Sequence, residues 1–458
     1  MGFGGLPVAQ NETIFALASG QGRAGVAVIR ISGPNAAHAL SSMLNKSLPA
    51  PRTARLSRLF DPRSGETLDD ALVLWFVAPA SFTGEDVAEL HIHGGVAVID
   101  GVLGALSHIE GLRLAAPGEF TRRAFDHGKL DLTQVEGLAD LIAAETEAQR
   151  KQALRQAEGA LGKIYDGWRV RLVRSLAHFE AELDFSDEEL PQDLHDQVVS
   201  GVRDLHGLIL AHLADGRQGE RLRDGLRLAI IGPPNAGKSS LMNALSQRDA
   251  AIVSDRAGTT RDVIEVHLNL GGYPLLVADT AGLRVSGDHI EQEGVRRARA
   301  WADTADLILA VFDGTAPEIF DVETRAMLND RTLVAVNKVD AMAADVPDCI
   351  DGFPVVALSV KSGVGLDTVL DQLSVRIEEK CRTTSEGPAP TRARHREALQ
   401  RTEQALLRFL TQESHRNIGR ELEAEDLRLA ARELGRITGR VDVEDLLDVI
   451  FRDFCIGK

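Results

Sequence analysis

This chain of 458 residues is poor in cysteine, has no surplus of positive charge and contains no long apolar run. Its three cysteines, Cys349, Cys381 and Cys455, are too few and too scattered for a disulfide framework or a zinc site, and they fit a reducing cytosol. Lysine and arginine number 51 against 68 aspartates and glutamates, a formal net charge of −17. That excludes a protein that coats nucleic acid or anionic membrane by bulk charge, though not a local basic patch. No segment approaches the about 18 apolar residues of a membrane helix. Met1 to Asn11 lack a basic segment followed by an apolar core, so they do not read as a signal peptide. Hydrophobic residues at 44% and charged residues at 26% are those of a folded protein. At roughly 100–200 residues per domain the chain holds two to four domains. The expectation is a soluble, acidic, cytoplasmic, multidomain protein.

The charge is uneven. Net values are −3 for residues 1–120, −6 for 121–218, −8 for 219–380 and zero for 381–458, where 13 of 14 basic residues are arginine. Branched apolar runs at residues 25–31 and 71–77 read as strands, and Val96 to His108 has helical spacing, so the first segment is α+β. From Leu132 to about Phe185 there is no proline and apolar residues recur at steps of three and four, which predicts long helices. Another helix is predicted from Asp193 to Ala214. Residues 226–231, 275–278, 307–312, 333–336 and 355–358 are buried-strand runs separated by helical stretches, which predicts a parallel α/β sheet. After a polar linker the chain is helical again from Thr391 to Phe454. Helices before and after the α/β segment suggest a helical domain, 121–218 plus 381–458, into which a domain of residues 219–380 is inserted.

Gly232-Pro233-Pro234-Asn235-Ala236-Gly237-Lys238-Ser239 follows a predicted strand and precedes a predicted helix. In that context G-x-x-x-x-G-K-[ST] cradles phosphates: backbone N–H groups face the anion, Lys238 neutralises β/γ charge and the Ser239 hydroxyl ligates Mg²⁺. Asp279-Thr280-Ala281-Gly282 follows a strand and can serve Mg²⁺ and the γ-phosphate. Asn337-Lys338-Val339-Asp340 follows another; the Asp340 carboxylate can accept from two guanine donors that adenine lacks. Ser359-Val360-Lys361 supplies a last base-contacting loop. The order and placement of these elements resemble a Ras-like GTPase domain. Thr260, in Gly258-Thr259-Thr260-Arg261-Asp262, is assigned to the Mg²⁺ shell. Leu283 stands where many Ras-like enzymes keep the glutamine that orients water. Asn235 could instead hold a monovalent cation at the phosphates, or be a turn-favouring residue.

With these motifs, Asp255-Arg256-Ala257-Gly258-Thr259-Thr260, Phe82-Thr83-Gly84-Glu85-Asp86, Pro117-Gly118-Glu119-Phe120-Thr121, Lys129-Leu130-Asp131-Leu132 and the terminal Cys455-Ile456-Gly457-Lys458 resemble the MnmE (TrmE) family of tRNA wobble-uridine modification GTPases. The resemblance implies an N-terminal folate-binding and dimerisation domain (1–120), a central helical domain and an inserted Ras-like G domain. It implies GTP contacts by Asn235, Ala236, Gly237, Lys238, Ser239, Ser240, Ser254, Asp255, Arg256, Ala257, Gly258, Thr259 and Thr260. Asp279, Thr280, Ala281, Gly282, Asn337, Lys338, Asp340, Ser359, Val360 and Lys361 complete that set. K⁺ would lie among Asn235, Ser254, Arg256 and Thr259, and Mg²⁺ on Ser239 and Thr260. Glu291 would orient water, alongside Lys238 and Asp279 in catalysis. A 5-formyltetrahydrofolate site would use Arg30, Glu89, Lys129 and Lys458. Gly20-Gln21, Pro233 and Ile92 depart from the family pattern without removing a named ligand.

The implied activity is K⁺-stimulated GTP hydrolysis. With a flavoprotein partner (MnmG in this family) it would add an aminomethyl or carboxymethylaminomethyl group at carbon 5 of the wobble uridine of certain tRNAs. The alternatives are a partner-binding ribosome-assembly or signalling GTPase and a folate-dependent transferase acting without a flavoprotein. Contact with tRNA is expected near residues 391–458 or the folate cleft, the partner carrying most of the phosphate-binding charge.

Overall fold

A computed structural model describes residues 12–184, 194–247, 265–278, 302–342, 345–381, 387–412 and 420–441, with positions 447, 450, 451, 454 and 457. Two compact units emerge, Met1–Ala139 with Gly435–Lys458, and Asp140–Leu434.

The first unit runs β1 (Thr13–Leu17), β2 (Ala24–Ser32), α1 (Ala36–Leu44), β3 (Arg55–Phe60), β4 (Thr67–Phe76), β5 (Val87–Gly94), α2 (Val96–Ser107), β6 (Leu112–Leu114) and α3 (Glu119–Asp126). The strands form one sheet in the order β3-β4-β5-β2-β1-β6. β1 and β6 pair in parallel and the other neighbours are antiparallel. Period-two alternation sorts the faces. Ala71, Val73 and Trp75 of β4, with Ile29 and Ile31 of β2, are buried with Leu40 and Met43 of α1 and Val102 and Leu106 of α2. The opposite face of the sheet keeps Arg30, Glu89 and His91 partly exposed. The predicted strands 25–31 and 71–77 and the helix at 96–108 are all present; β3 and β5 lacked an apolar run long enough to predict. The chain's end returns to this unit: Leu447, Phe451 and Phe454 pack with Leu132 and Val135.

α4 (Leu132–Ala143) leads into the second unit. The predicted long helical stretch divides into α4, α5 (Glu147–Ala157) and α6 (Ala160–Asp184). Thr146 causes one break: its hydroxyl accepts from the Gln149 N–H while the Gln149 side chain returns to the Thr146 N–H, a capping box that starts α5. α7 (Leu194–Leu213) and α8 (Gln218–Asp224) follow, then β7 (Leu226–Ile231), α9 (Lys238–Ser246), β8 (Glu265–Leu270), β9 (Tyr273–Ala278), β10 (Leu307–Asp313) and α10 (Val322–Arg325). β11 (Thr332–Asn337), β12 (Cys349–Ile350), β13 (Phe353–Ala357), α11 (Leu366–Cys381), α12 (Ala393–Gln412) and α13 (Arg420–Thr438) complete the order.

The sheet order is β12-β13-β11-β10-β7-β9-β8. Its five inner strands are parallel, as predicted, and the apolar runs of β7, β10 and β11 are buried on both faces. The edges differ from that prediction, because β8 and β12 are antiparallel to their neighbours. For β8 the cause is local: Gly271 and Gly272, at φ 60° and 87°, make a two-residue turn that sends the chain straight back.

The helices before and after this sheet pack together, α12 against α7. Arg396 on α12 fastens them. Its Nε donates to Glu220 Oε1 at 2.6 Å, one terminal nitrogen to Asp215 Oδ1 at 2.6 Å and the other to the Leu213 carbonyl at 3.0 Å. Thr391 Oγ1 donates to Gln156 Oε1 at 2.8 Å, and Arg392 pairs with Asp140 at 2.7 Å.

Candidate functional site

β7 ends at Ile231 and α9 begins at Lys238, so residues 232–237 form the loop between a buried strand and a helix N-terminus. Two glycines permit its path. Gly232, at φ 147°, has no room for a Cβ beside the Val311 carbonyl, and Gly237, at φ 95°, has none beside the Asn337 amide. Asn235 lies in the left-handed region at φ 63° and is exposed, as are Ser239 and Ser240 in the first turn of α9. The Lys238 ammonium donates to the Gly232 and Pro233 carbonyls, both at 2.8 Å, which holds it against the loop. A helix N-terminus, a curled backbone and a fixed cation make an anion site.

Asn337, at the end of β11, is buried and ties two loops together. Its Nδ2 donates to the Ala236 carbonyl at 2.8 Å and its Oδ1 accepts from the Val360 N–H at 3.1 Å. Asp340 is exposed and is steadied by Ser359, whose hydroxyl donates to Oδ1 at 2.6 Å. Ser359 itself is buried and accepts from the Ser362 N–H at 3.2 Å. Lys338 pairs with Asp313 at 2.6 Å, and Lys361 is exposed on the neighbouring loop. The structure therefore brings Asn235 to Ser240 together with Asn337, Lys338, Asp340, Ser359, Val360 and Lys361 at the C-terminal ends of the inner strands β7, β11 and β13. Sequence reasoning passed over Asp313. An acid closing the apolar run 307–312 at a strand's C-terminal end was the available signal.

Ser254, Asp255, Arg256, Ala257, Gly258, Thr259, Thr260, Asp279, Thr280, Ala281, Gly282 and Glu291 lie outside the described residues, as do Cys455 and Lys458. β8 starts at Glu265, which pairs with Ala278, the last residue of β9. Ala278 is also in register with Ala229 of β7, three residues before the phosphate loop. The Ser239 hydroxyl, exposed at the α9 N-terminus, suits a hard cation such as Mg²⁺, and the exposed Asn235 amide suits a monovalent one. Among the described residues no group of three or more His, Cys, Asp or Glu side chains could hold a metal ion.

In the first unit, Arg30 and Glu89 face each other across β2 and β5. Arg30 Nε donates to Glu89 Oε1 at 3.0 Å and a terminal nitrogen reaches the same oxygen at 2.9 Å. The Arg30 guanidinium also lies 5.2 Å from the Phe82 ring centroid and 5.7 Å from that of Phe120. The exposed Lys129 donates to the Pro79 carbonyl at 2.9 Å, on the loop that carries Phe82. A buried network holds that loop. Ser32 Oγ bonds Thr83 Oγ1 and Glu85 Oε2, each at 2.7 Å, and Arg123 reaches Glu85 at 3.1 Å and Glu119 at 3.0 Å. Arg30, Glu89 and Lys129 thus gather around residues 79–85. Gly457 lies against the Leu17 carbonyl, placing the chain's end beside β1.

Comparison with known proteins covers nearly the whole chain. The family model described as the MnmE helical domain matches residues 132–455, and that described as the GTP-binding protein TrmE N-terminus matches residues 13–129. The chain is similar to the tRNA modification GTPase MnmE of Paramagnetospirillum magneticum, 56% identical over 448 residues, covering 98% of this chain and 100% of that one. The protein of the same name from Parvibaculum lavamentivorans is 57% identical over 450 residues, with the same coverage. The mitochondrial 5-taurinomethyluridine-[tRNA] synthase subunit GTPB3 of Danio rerio is 50% identical over 471 residues, covering 98% of this chain and 93% of that one.

Proposed function

The chain belongs to the MnmE family of tRNA modification GTPases, and from that membership we propose that its GTP hydrolysis is K⁺-stimulated and serves C5 modification of wobble uridine. It would act with a flavoprotein of the MnmG type, placing an aminomethyl or carboxymethylaminomethyl group at carbon 5 of uridine 34 in certain tRNAs. The name of the Danio rerio relative, a synthase for a 5-substituted uridine in tRNA, supports that position. The observation that carries the nucleotide chemistry is the fixed Lys238 ammonium at the phosphate loop.

In this reading GTP's phosphates lie on the Asn235–Ser240 backbone, and Lys238 neutralises charge that grows on the β/γ oxygens as the bond breaks. The Asp340 carboxylate, oriented by Ser359, accepts from guanine. Mg²⁺ on Ser239 and Thr260, and K⁺ held by Asn235, Ser254, the Arg256 carbonyl and Thr259, would supply further positive charge beside the phosphates. Glu291 would orient water in place of the missing glutamine, and Asp279 to Gly282 would respond to the γ-phosphate. Arg30, Glu89, Lys129 and Lys458 would hold 5-formyltetrahydrofolate. The cation–carboxylate pair there offers complementary charge to the folate tail and to the pterin N–H groups. The proposed domains are 1–120, which also forms the homodimer, 121–218 with 381–458, and 219–380. The proposed compartment is the cytoplasm; among the described residues no helix is long and apolar enough to cross a membrane.

The arginine-rich C-terminal helices have less free charge than their composition suggests. Arg392, Arg396, Arg401, Arg408, Arg420 and Arg428 are each paired with a carboxylate. This supports a flavoprotein partner that carries most of the tRNA phosphate contacts.

Wobble nucleosides should be mapped in cells that lack the gene or carry Asp279→Ala. Loss of the 5-substituted uridine is expected, and unchanged wobble uridines would sink the assignment. For the cation, GTP turnover of the purified chain is expected to be about tenfold or more faster in K⁺ than in Na⁺. Equal rates would remove Asn235 from that role.

A further inference from the structure

β10 ends on an acid whose two oxygens are both committed. Asp313 Oδ2 lies 2.6 Å from Lys338 Nζ. Its Oδ1 accepts from the Thr315 N–H at 2.9 Å and from the Thr315 hydroxyl at 2.7 Å. The carboxylate is therefore fixed by its own turn before it meets the lysine. In the β10–β11 register Asp313 stands opposite Asn337, and the Gly314 N–H donates to the Asn337 carbonyl at 2.8 Å. One three-residue turn thus grips two consecutive residues of the Asn337–Asp340 segment, one by its main chain and one by its side chain. The gripped segment is a demanding one: Lys338 has φ 67°, a left-handed conformation that non-glycine residues seldom adopt. Gly314 packs so tightly that an added Cβ would collide with Met342 and the Asn337 carbonyl.

We propose that Asp313, buttressed by Thr315, is a positioning residue for guanine-nucleotide binding and acts through Lys338. The inference rests on the reading of Lys338 as a nucleotide contact. A lysine on the surface ordinarily loses side-chain entropy when it is held in one geometry, which is why most exposed pairs contribute little. Here Asp313 is mostly buried, with 14% of its side chain exposed, and Thr315 has already oriented it, so Lys338 is ordered before nucleotide arrives. Burial alone would raise the Asp313 carboxyl's pKa, but the Lys338 ammonium and the Thr315 donors outweigh it and hold the group below its ordinary range, so it stays ionised. Without Asp313, each binding event would have to order Lys338 anew. GTP and GDP would be weakened alike, because both present the same base and sugar. The bond-breaking step would be untouched, since Asp313 acts on the base-reading segment rather than on the phosphate loop.

The test uses the full-length chain, titrated with fluorescently labelled GDP and assayed for steady-state GTP hydrolysis. Asp313→Asn is expected to raise the Kd for GDP and the KM for GTP by the same factor, about 5–20-fold, with kcat within about twofold. Thr315→Val is expected to move both in the same direction by a smaller factor, and Thr315→Ser to restore them. Lys338→Met should weaken both nucleotides, and the Asp313→Asn, Lys338→Met double variant should be no weaker than Lys338→Met alone. A drop in kcat at unchanged KM, or a double variant losing the product of the single factors, overturns the proposal. If Lys338→Met leaves affinity unchanged, the reading of Lys338 itself fails. If Lys338→Met weakens binding and Asp313→Asn does not, only the role of Asp313 falls. Should Asp313→Asn not fold, the Thr315 pair decides: equal affinity for Thr315→Val and Thr315→Ser overturns the proposal.

Discussion

Lys238→Ala lowers GTP turnover by about a thousandfold, measured as steady-state phosphate release at saturating Mg²⁺. The size follows from where the ammonium sits. It is held on the Gly232 and Pro233 carbonyls, in the concavity of a loop whose backbone N–H groups can offer only partial charges. No other basic residue lies in the loop from Gly232 to Gly237, so Lys238 carries its full positive charge at the phosphates. A transition state that spreads negative charge over the transferred oxygens needs that full cation in place beforehand. Lys238→Arg should not rescue the loss, because a planar fork cannot replace a compact ammonium in a loop of this curvature. Turnover of the alanine variant within about tenfold of the wild type would remove Lys238 from catalysis. Thermal unfolding should be little changed, since Lys238 supports no hydrophobic core.

Arg396→Ala destabilises the Asp140–Leu434 unit by about 3–5 kcal/mol, read from urea unfolding. Two carboxylates depend on this guanidinium. Asp215 and Glu220 have only 4% and 9% of their side chains exposed, and Arg396 itself 13%. Removing the cation strands two anions that water cannot reach well, which costs far more than loss of an exposed pair. Burial pushes the Glu220 carboxyl upward, yet Arg396 and Arg217 outweigh it and hold the pKa below the ordinary 4.5. A folded-state value below the unfolded one means stability that is fully present above pH 4.5 and is lost as pH falls through the folded value. The gap between wild type and Arg396→Ala should therefore be widest near neutrality and narrow on acidification below about pH 4.5. A gap of the same size at acidic and neutral pH would show that the loss is one of packing rather than of charge. Arg396→Leu at neutral pH should cost as much, because it restores volume without charge.

Much of the second unit could be read locally. The runs 226–231, 275–278, 307–312 and 333–336 became β7, β9, β10 and β11, because a parallel strand covered on both faces must be apolar along its whole length. β5 escaped notice for the opposite reason. Glu89, His91 and His93 interrupt its apolar residues, since one side of that strand does not face the core. The phosphate loop was legible because every residue it needs lies within eight positions and its glycines act on the backbone directly. The Arg30–Glu89 pair was not: its members are separated by 59 residues, and each alone is an ordinary surface charge. Only the family resemblance singled them out. The arginines of residues 391–458 looked like an available basic surface, and the fold matched six of them to acids from the same unit.

The sequence by itself determined the scarcity of cysteine, the acidic balance, the order of helical and α/β segments and the nucleotide motifs. These are properties of composition, short-range periodicity and backbone permissiveness, and they need no knowledge of what lies across the fold. Tertiary structure alone decided which charges are spent on holding the protein together and which are left for ligands. Arg396 became a clasp, Asp313 a brace for Lys338, and Asn337 a tie between Ala236 and Val360. A charged or amide side chain takes its role from the partner that desolvates with it, and sequence spacing does not reveal that partner.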